Sequence, residues 1–346
     1  MTNGENMIGT QMQKEISMIR YICAAALAAF AGQAIACSPG GDTADAKTVE
    51  ASATVEASAT GAGRTAAGSQ APAIDWKRVE AAMGRTGAEQ PGGVYRFSLP
   101  RGDMQVTAGG VRIRPALALG SWVAFKAHGN GAMAMGDLVL AEDEVNPVLS
   151  RLQQGGVEQT AIHHHITREA PRVLYVHIHA HGDAVKIAET VRAAVALTKT
   201  PPPATPTAAA SDAFGIDTAQ VARALGHVGR VNGGVYQVNV PRAETIREGD
   251  FEVPPSMGLG TVMNFQPTGG GKAAITGDFV MIGSEVNPVI RALRENGIEV
   301  TSLHNHLLTD EPRLFFMHFW ANDDAPKLAQ GLRAALDKTN SRRAAQ

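Results

Sequence analysis

Cysteine is nearly absent from this chain. Cys23 and Cys37 are the only two in 346 residues, and Cys23 lies inside a segment that reads as cleavable. A single remaining thiol excludes an intrachain disulfide framework. An excess of charge is also lacking: 31 Lys and Arg face 33 Asp and Glu, for a net charge of −2. No basic stripe is visible, which argues against nucleic acid as a partner, because phosphate binding needs clustered cations. The N-terminal apolar run is too short to span a bilayer, which takes about 20 residues, and no membrane-coating amphipathic helix is evident. Gly-x-Ser-x-Gly, the P-loop, the Rossmann glycine fingerprint and His-Glu-x-x-His are all missing. Gly269-Gly270-Gly271-Lys272 lacks the spacing of a phosphate loop and reads as a hairpin turn.

The N-terminus has the pattern of an export signal. Met18-Ile19-Arg20 supplies a short positive head, residues 21–32 an apolar core, and Ala34-Ile35-Ala36-Cys37 small residues before a cut. The polar leader over residues 1–17 fits no signal pattern, which makes Met18 a second candidate start. Ala34-Ile35-Ala36 suits ordinary secretion. The same residues with Cys37 form a degenerate lipobox, with Ala34 where Leu is usual. Lipidation at Cys37 is favoured because it gives the lone thiol a purpose. It also accounts for residues 38–73, an Ala/Ser/Thr/Gly tract of the kind that tethers anchored proteins. The expectation is export to the periplasm or outer membrane, with membrane contact only through that lipid.

The rest is a tandem duplication. Gly92-Gly93-Val94-Tyr95 recurs as Gly233-Gly234-Val235-Tyr236, each followed by Pro-Arg six residues after the Val. Glu144-Val145-Asn146-Pro147-Val148 recurs as Glu285-Val286-Asn287-Pro288-Val289. From 136 to 195 the offset stays at 141 without a gap, and 25 of 60 positions are identical. The organisation is thus a signal over 1–37, tether 38–73, repeat one 74–197, linker 198–213, repeat two 214–338 and tail 339–346. A Pro/Ala/Thr-rich composition marks the linker.

Each repeat reads as α+β: a mainly antiparallel sheet with helices on one face, around a ferredoxin-like β-α-β-β-α core. Asp75 and Asp183 are expected helix N-caps. Residues 94–99 alternate and end at Pro100, as a strand does. Gly129-Asn130-Gly131 predicts a hairpin between 121–127 and 133–140. Asn146-Pro147 is expected to cap a helix reaching 154, followed by strands over 157–166 and 172–180 and a last amphipathic helix. Asp137 and Asp278, each after Gly, read as turn residues.

Histidine is where the two copies agree most pointedly. Of eleven histidines, His163, His165 and His177 recur as His304, His306 and His318. Residues two apart on a strand share a face. If residue 166 pairs with 172, His163 opposes Tyr175, and the hairpin brings His177 and His179 onto the same side. Three neutral imidazoles with an open fourth position suit zinc, with copper and nickel also compatible. This predicts one hairpin-borne site per repeat. A competing reading is a buried polar network in which the histidines bond to backbone or to Glu144 and Glu285. A third is a metal-free ligand or acid–base role. Glu144 and Glu285 are candidate carboxylate ligands or general bases, although a negative charge beside a helix N-terminus is also simply stabilising. His164, His179 and His181 occur only in repeat one and read as variation between copies, the alternative being that they enlarge a site there; His128 and His227 have no counterpart.

Leu303-His304-Asn305-His306-Leu307-Leu308, Pro312-Arg313, Met317-His318-Phe319-Trp320 and the closing Lys327-Leu328-Ala329 with Leu332-Arg333-Ala334-Ala335-Leu336 resemble the bacterial LppY/LpqO lipoprotein family. The resemblance spans residues 74–338 and implies export and lipidation, without an activity. Repeat one departs from the pattern at His163-His164-His165-Ile166 and His177-Ile178-His179-Ala180. The functional expectation is a transition-metal-binding envelope protein. Its alternatives are a metal-dependent hydrolase at the same site, with Glu285 as the repeated carboxylate, and a metal-free protein holding a small ligand or protein partner between the repeats.

Overall fold

The computed structural model describes residues 74–203 and 214–343. The expected signal, Cys37 and the tether lie outside the described residues, as do most of the linker and the last three residues.

Repeat one opens with α1 (Trp76–Met83), whose N-cap Asp75 accepts from the amides of Lys77 and Arg78. Strands β1 (Ala88–Gln90), β2 (Val94–Pro100), β3 (Thr107–Ala108) and β4 (Val111–Arg112) follow, then the short α2 (Pro115–Ala118). Next come β5 (Gly120–His128) and β6 (Gly131–Ala141), joined at the expected turn with His128 opposite Gly131. A 3-10 turn (Glu142–Glu144) leads into α3 (Val145–Gln154), then β7 (Glu158–His163), β8 (Val173–Gly182) and α4 (Ala184–Val195). The sheet order is β1-β2-β5-β6-β8-β7. Because β6 and β7 both run antiparallel to β8, the unit β6-α3-β7 straddles it as a split β-α-β.

Repeat two repeats the plan: α5 (Thr218–Leu225), β9 (Arg230–Asn232), β10 (Val235–Pro241), β11 (Arg247–Glu248), β12 (Phe251–Glu252), β13 (Gly260–Gly269), β14 (Lys272–Ile282), α6 (Gly283–Glu295), β15 (Glu299–His304), β16 (Asp310–Glu311), β17 (Leu314–Asp324) and α7 (Ala325–Leu336). Its sheet order is β15-β17-β14-β13-β10-β9. The two tandem α+β repeats are thus as expected.

Two local expectations need correction. Asn146 is not the helix cap: α3 starts at Val145, and in repeat two Pro288 sits inside α6. The helix start is instead secured by a glutamate, Glu144 just before α3 and Glu285 in the first turn of α6, whose carboxylate accepts from Ala141 N (2.8 Å) or Ile282 N (2.9 Å). Asp137 and Asp278 are not turn residues. They lie mid-strand in β6 and β14, buried and paired in register with His177 and His318.

Alternation along the central strands explains the packing. Even-numbered side chains of β6 and β8, among them Leu138, Leu140, Val176 and Ile178, join Val79, Val148, Leu152, Ala188 and Val191 of the helices in one core. Odd-numbered ones point the other way. Met133 and Met135 pack with Phe251, Met257, Leu259 and Phe316 of repeat two, while Val139, Val173 and Tyr175 pack with Val235, Ala274 and Trp320. Each sheet is therefore buried on both faces, by its own helices and by the other repeat. A fully buried aliphatic or aromatic side chain stabilises by about 1.5–3 kcal/mol, so these shared clusters weld the repeats together. They also close over everything the odd face of repeat one carries between them.

Candidate metal centre

What lies between the two apolar clusters is histidine. His163 stands opposite Tyr175, the expected register, and a bulge between Gln159 and Ala161 adjusts the strand before it. His177 is on the same face of β8. The expectation of one site per repeat is nevertheless overturned: the imidazoles meet across the repeats. His163 Nε2 is 3.2 Å from His318 Nε2, and His177 Nε2 is 3.3 Å from His304 Nε2. The rings of His163 and His304 stack at 3.8 Å. His165 reaches His318 (3.9 Å between ring centroids), and His306 reaches His177 (3.8 Å). The physical reason is the covered sheet: the face bearing these residues packs on its duplicate, not on solvent.

The arrangement has an approximate two-fold symmetry that extends to supporting groups. His165 stacks on Tyr175 at 3.4 Å, His306 on Phe316 at 3.5 Å. His177 Nδ1–H donates to Gly136 O (3.2 Å), and His318 Nδ1–H to Gly277 O (2.6 Å). Donation from Nδ1 leaves the Nε2 lone pair aimed at the centre. Thr160 Oγ1 donates to His306 O and Thr301 Oγ1 to His165 O, each at 2.7 Å. His165 Nε2 is 3.3 Å from Asp137 Oδ2, and His306 Nε2 is 3.2 Å from Asp278 Oδ2. The repeated Gly-Asp is thereby explained. A Cβ on Gly277 would fall 1.8 Å from Val262 O, and one on Gly136 2.7 Å from Trp122 O. Only glycine lets these strands approach while offering the carbonyl to histidine.

Electrostatically the centre holds its imidazoles neutral. Burial first, then mutual repulsion, pushes His163, His165, His177 and His304 well below the usual histidine value. Burial brings His306 down to about 3 and His318 to about 4. Burial likewise pushes Asp278 up to about 6, with Asp137 adding to the rise and His318 opposing it. Neutral imidazole is the form that ligates metals.

The donor set fits a transition ion. Three overlapping triads have donor atoms within 4.8 Å of one another: His163/His165/His318, His163/His177/His304 and Asp278/His304/His306. Two nitrogens bound tetrahedrally at about 2.0–2.1 Å from one ion stand about 3.3–3.4 Å apart, close to the two Nε2 spacings. Asp137 Oδ1, His163 Nδ1 and His165 Nε2, with their mates Asp278 Oδ1, His304 Nδ1 and His306 Nε2, are buried without a hydrogen-bond partner. Each such orphan costs about 1–3 kcal/mol. Six amount to something on the order of 10 kcal/mol, comparable with the whole net stability of a domain.

Glu144 and Glu285 lie elsewhere. Arg101 Nη1 and Nη2 donate to Glu144 at 2.7 and 3.0 Å, and Arg242 does the same to Glu285 at 2.6 and 3.1 Å. The amides of Lys199 and Asn340 complete them. Burial alone would raise Glu285, but the Arg242 bonds together with the amides of Ile282 and Asn340 outweigh it and hold the carboxyl low. These glutamates are tie-points at helix starts. The repeated Pro-Arg was the sign of their partners. Asp137 and Asp278 are the carboxylates that sequence reasoning missed. An acid recurring inside an otherwise apolar strand was the available signal.

The fold and the centre define a tandem-repeat α+β protein with a histidine-rich site shared between its halves. The chain belongs to the family described as Domain of Unknown Function (DUF1259), whose model matches residues 77–197 and 219–338. A search of curated proteins finds no match. Among solved structures, the trimeric bacterial microcompartment shell protein PduB is 13% identical, with 73% of this chain and 89% of that one covered and a TM-score of 0.19. EtuB from Clostridium kluyveri is 9% identical, with 72% and 90% covered and a TM-score of 0.17. At these scores neither likeness bears on function.

Proposed function

We propose that this protein binds a transition metal, zinc by preference, in the centre shared by the two repeats. Its ligands are drawn from His163, His165, His177, His304, His306 and His318 in the overlapping triads, no more than four to an ion, with Asp137 and Asp278 beside them. The observation that carries this reading is the symmetric set of buried, unpartnered nitrogen and carboxylate atoms. Cations bound in the overlapping triads would supply partners to groups of this kind, whereas a hydrogen-bonded network leaves them orphaned. Zinc suits neutral imidazoles with a carboxylate and imposes no geometry of its own. When bound, it would supply Lewis acidity and a cross-link between repeats. The hydrolase alternative loses its named base, since Glu285 is saturated by Arg242 and two backbone amides. The export signal and Cys37 lipobox support placing this function at the cell envelope, on a lipid-anchored protein.

The test is metal analysis of protein purified without a His tag, beside a His163→Ala/His304→Ala variant. Wild type is expected to retain at least one equivalent of zinc through dialysis, and the variant to retain one equivalent fewer. Substoichiometric metal, unchanged in the variant, sinks the proposal.

A further inference from the structure

Outside the centre, one more cluster of metal-ligating side chains joins the repeats. His179 and His181, on β8, aim both Nε2 atoms at one oxygen of Glu248 on β11, each at 3.0 Å. The donor atoms of these three residues lie within 4.8 Å of one another. Supporting groups surround them. Thr309 Oγ1 donates to the other Glu248 oxygen (3.0 Å), and Glu158 Oε2 is 3.8 Å from His179 Nδ1. His128 Nδ1 is 3.3 Å from His181 Nδ1, and Asp250 is 3.6 Å from His128 Nε2. A carboxylate behind a ligating imidazole is the usual outer support of a metal site.

Packing does not require these residue types. At the symmetry-related end, the positions of His179 and Glu248 are taken by Trp320 and Ala108, which belong to one apolar cluster. His181 is matched there by Asn322. One end of the interface is thus closed by apolar contact, while the other buries His179 and half-buries Glu248. His181, at the exposed end of the strand, leaves the cluster open to solvent.

We infer that His179, His181 and Glu248 form a second site, for a divalent first-row transition ion, present only at the repeat-one end. Two imidazoles and a carboxylate leave a coordination position for water or an exogenous ligand, the composition of open zinc sites and of facial-triad iron sites. All three ligands come from strands, so the site is held in place. It lies one same-face step along β8 from His177, roughly 7 Å of strand. Its exposure makes its ion exchangeable where the central ion is enclosed. The site stands on its own residues and does not depend on the central one being filled.

The experiment uses the full chain, untagged and stripped with chelator, titrated with cobalt(II) as a visible-absorbing probe and then competed with zinc. Glu248→Gln/His181→Ala is expected to bind one equivalent fewer than wild type and to lose the corresponding d–d band. His163→Ala/His304→Ala is expected to keep that band. Single His181→Ala, at an exposed position, should weaken the site at least about 10-fold with the circular dichroism and Tm unchanged, which covers the case of a misfolded double variant. Equal stoichiometry, affinity and spectrum in wild type and in these variants overturn the inference. Cobalt bound only at this site leaves the inference standing and removes the central reading; cobalt bound only at the centre does the reverse.

Discussion

At the scale of single residues, substitution of the two buried aspartates is the test that separates a metal centre from a polar core. Asp137 and Asp278 lie within ion-pair distance of His165 and His306, yet each keeps one oxygen unpartnered. In a purely structural network the isosteric Asp278→Asn should be tolerated, because it removes a charge that burial already disfavours. Beside a cation the same charge is worth keeping. Asp278→Asn is therefore expected to lower zinc affinity by about 10–100-fold, the usual effect of losing a supporting carboxylate. Competition against a chromophoric chelator reads this directly. An unchanged affinity places Asp278 outside the metal's influence.

Among the elements, the repeated glutamates act where strand, helix and returning chain meet. Arg242 reaches from the end of β10 to Val280 O at the end of β14 and to Glu285 in the first turn of α6. Removing one member of a buried pair leaves the other uncompensated, which typically costs about 3–5 kcal/mol. Glu285→Gln keeps some hydrogen bonding, so its loss should fall at the lower end, seen as a reduced urea midpoint. Its zinc content should equal wild type. A variant with normal stability and altered metal content would return Glu285 to the site. Local features of this kind were the readable ones. The helix caps Asp75 and Asp183, the hairpin at Gly129 and the His163–Tyr175 register each depend on a few adjacent residues and stand as expected. Alternation also assigned His163 and His177 to one face, but the strand expected to carry His165 ends at His163, and His165 and His306 lie just beyond β7 and β15. Alternation could not tell what covers that face, because strand periodicity carries no information about the opposing layer. The same gap hid Asp137, whose preceding Gly serves close strand approach and not a turn, and it hid Glu248, which meets His179 only through tertiary packing.

The whole molecule should respond to acid as one body, because the buried histidines sit between its halves. All six hold folded-state values below the ordinary 6.5. As pH falls below about 6.5 the unfolded chain takes up protons that the folded chain refuses, so stability present at neutral pH is lost. The loss continues towards about 4 for His318 and about 3 for His306. Asp278 acts in the opposite sense: its folded value of about 6 lies above the ordinary carboxylate value of 3.8, so its contribution becomes more favourable as pH falls from about 6 towards 3.8. One carboxyl opposes six imidazoles, each worth up to about 1.4 kcal/mol per pH unit. Even two or three of them could exhaust a typical net stability of about 5–15 kcal/mol within a few units. Urea midpoints of metal-free protein at pH 7.5, 6.5, 5.5 and 4.5 are therefore expected to fall steadily below 6.5. Zinc-loaded protein should start higher, since a ligand bound only by the folded state stabilises it. It should then release its ion as the imidazoles are protonated, and the two curves should converge at low pH. Because the proposed ligands come from both repeats, ion release and loss of inter-repeat contact should coincide. A flat profile from 7.5 to 4.5 without metal, or zinc retained after the repeats have separated, contradicts a shared histidine centre.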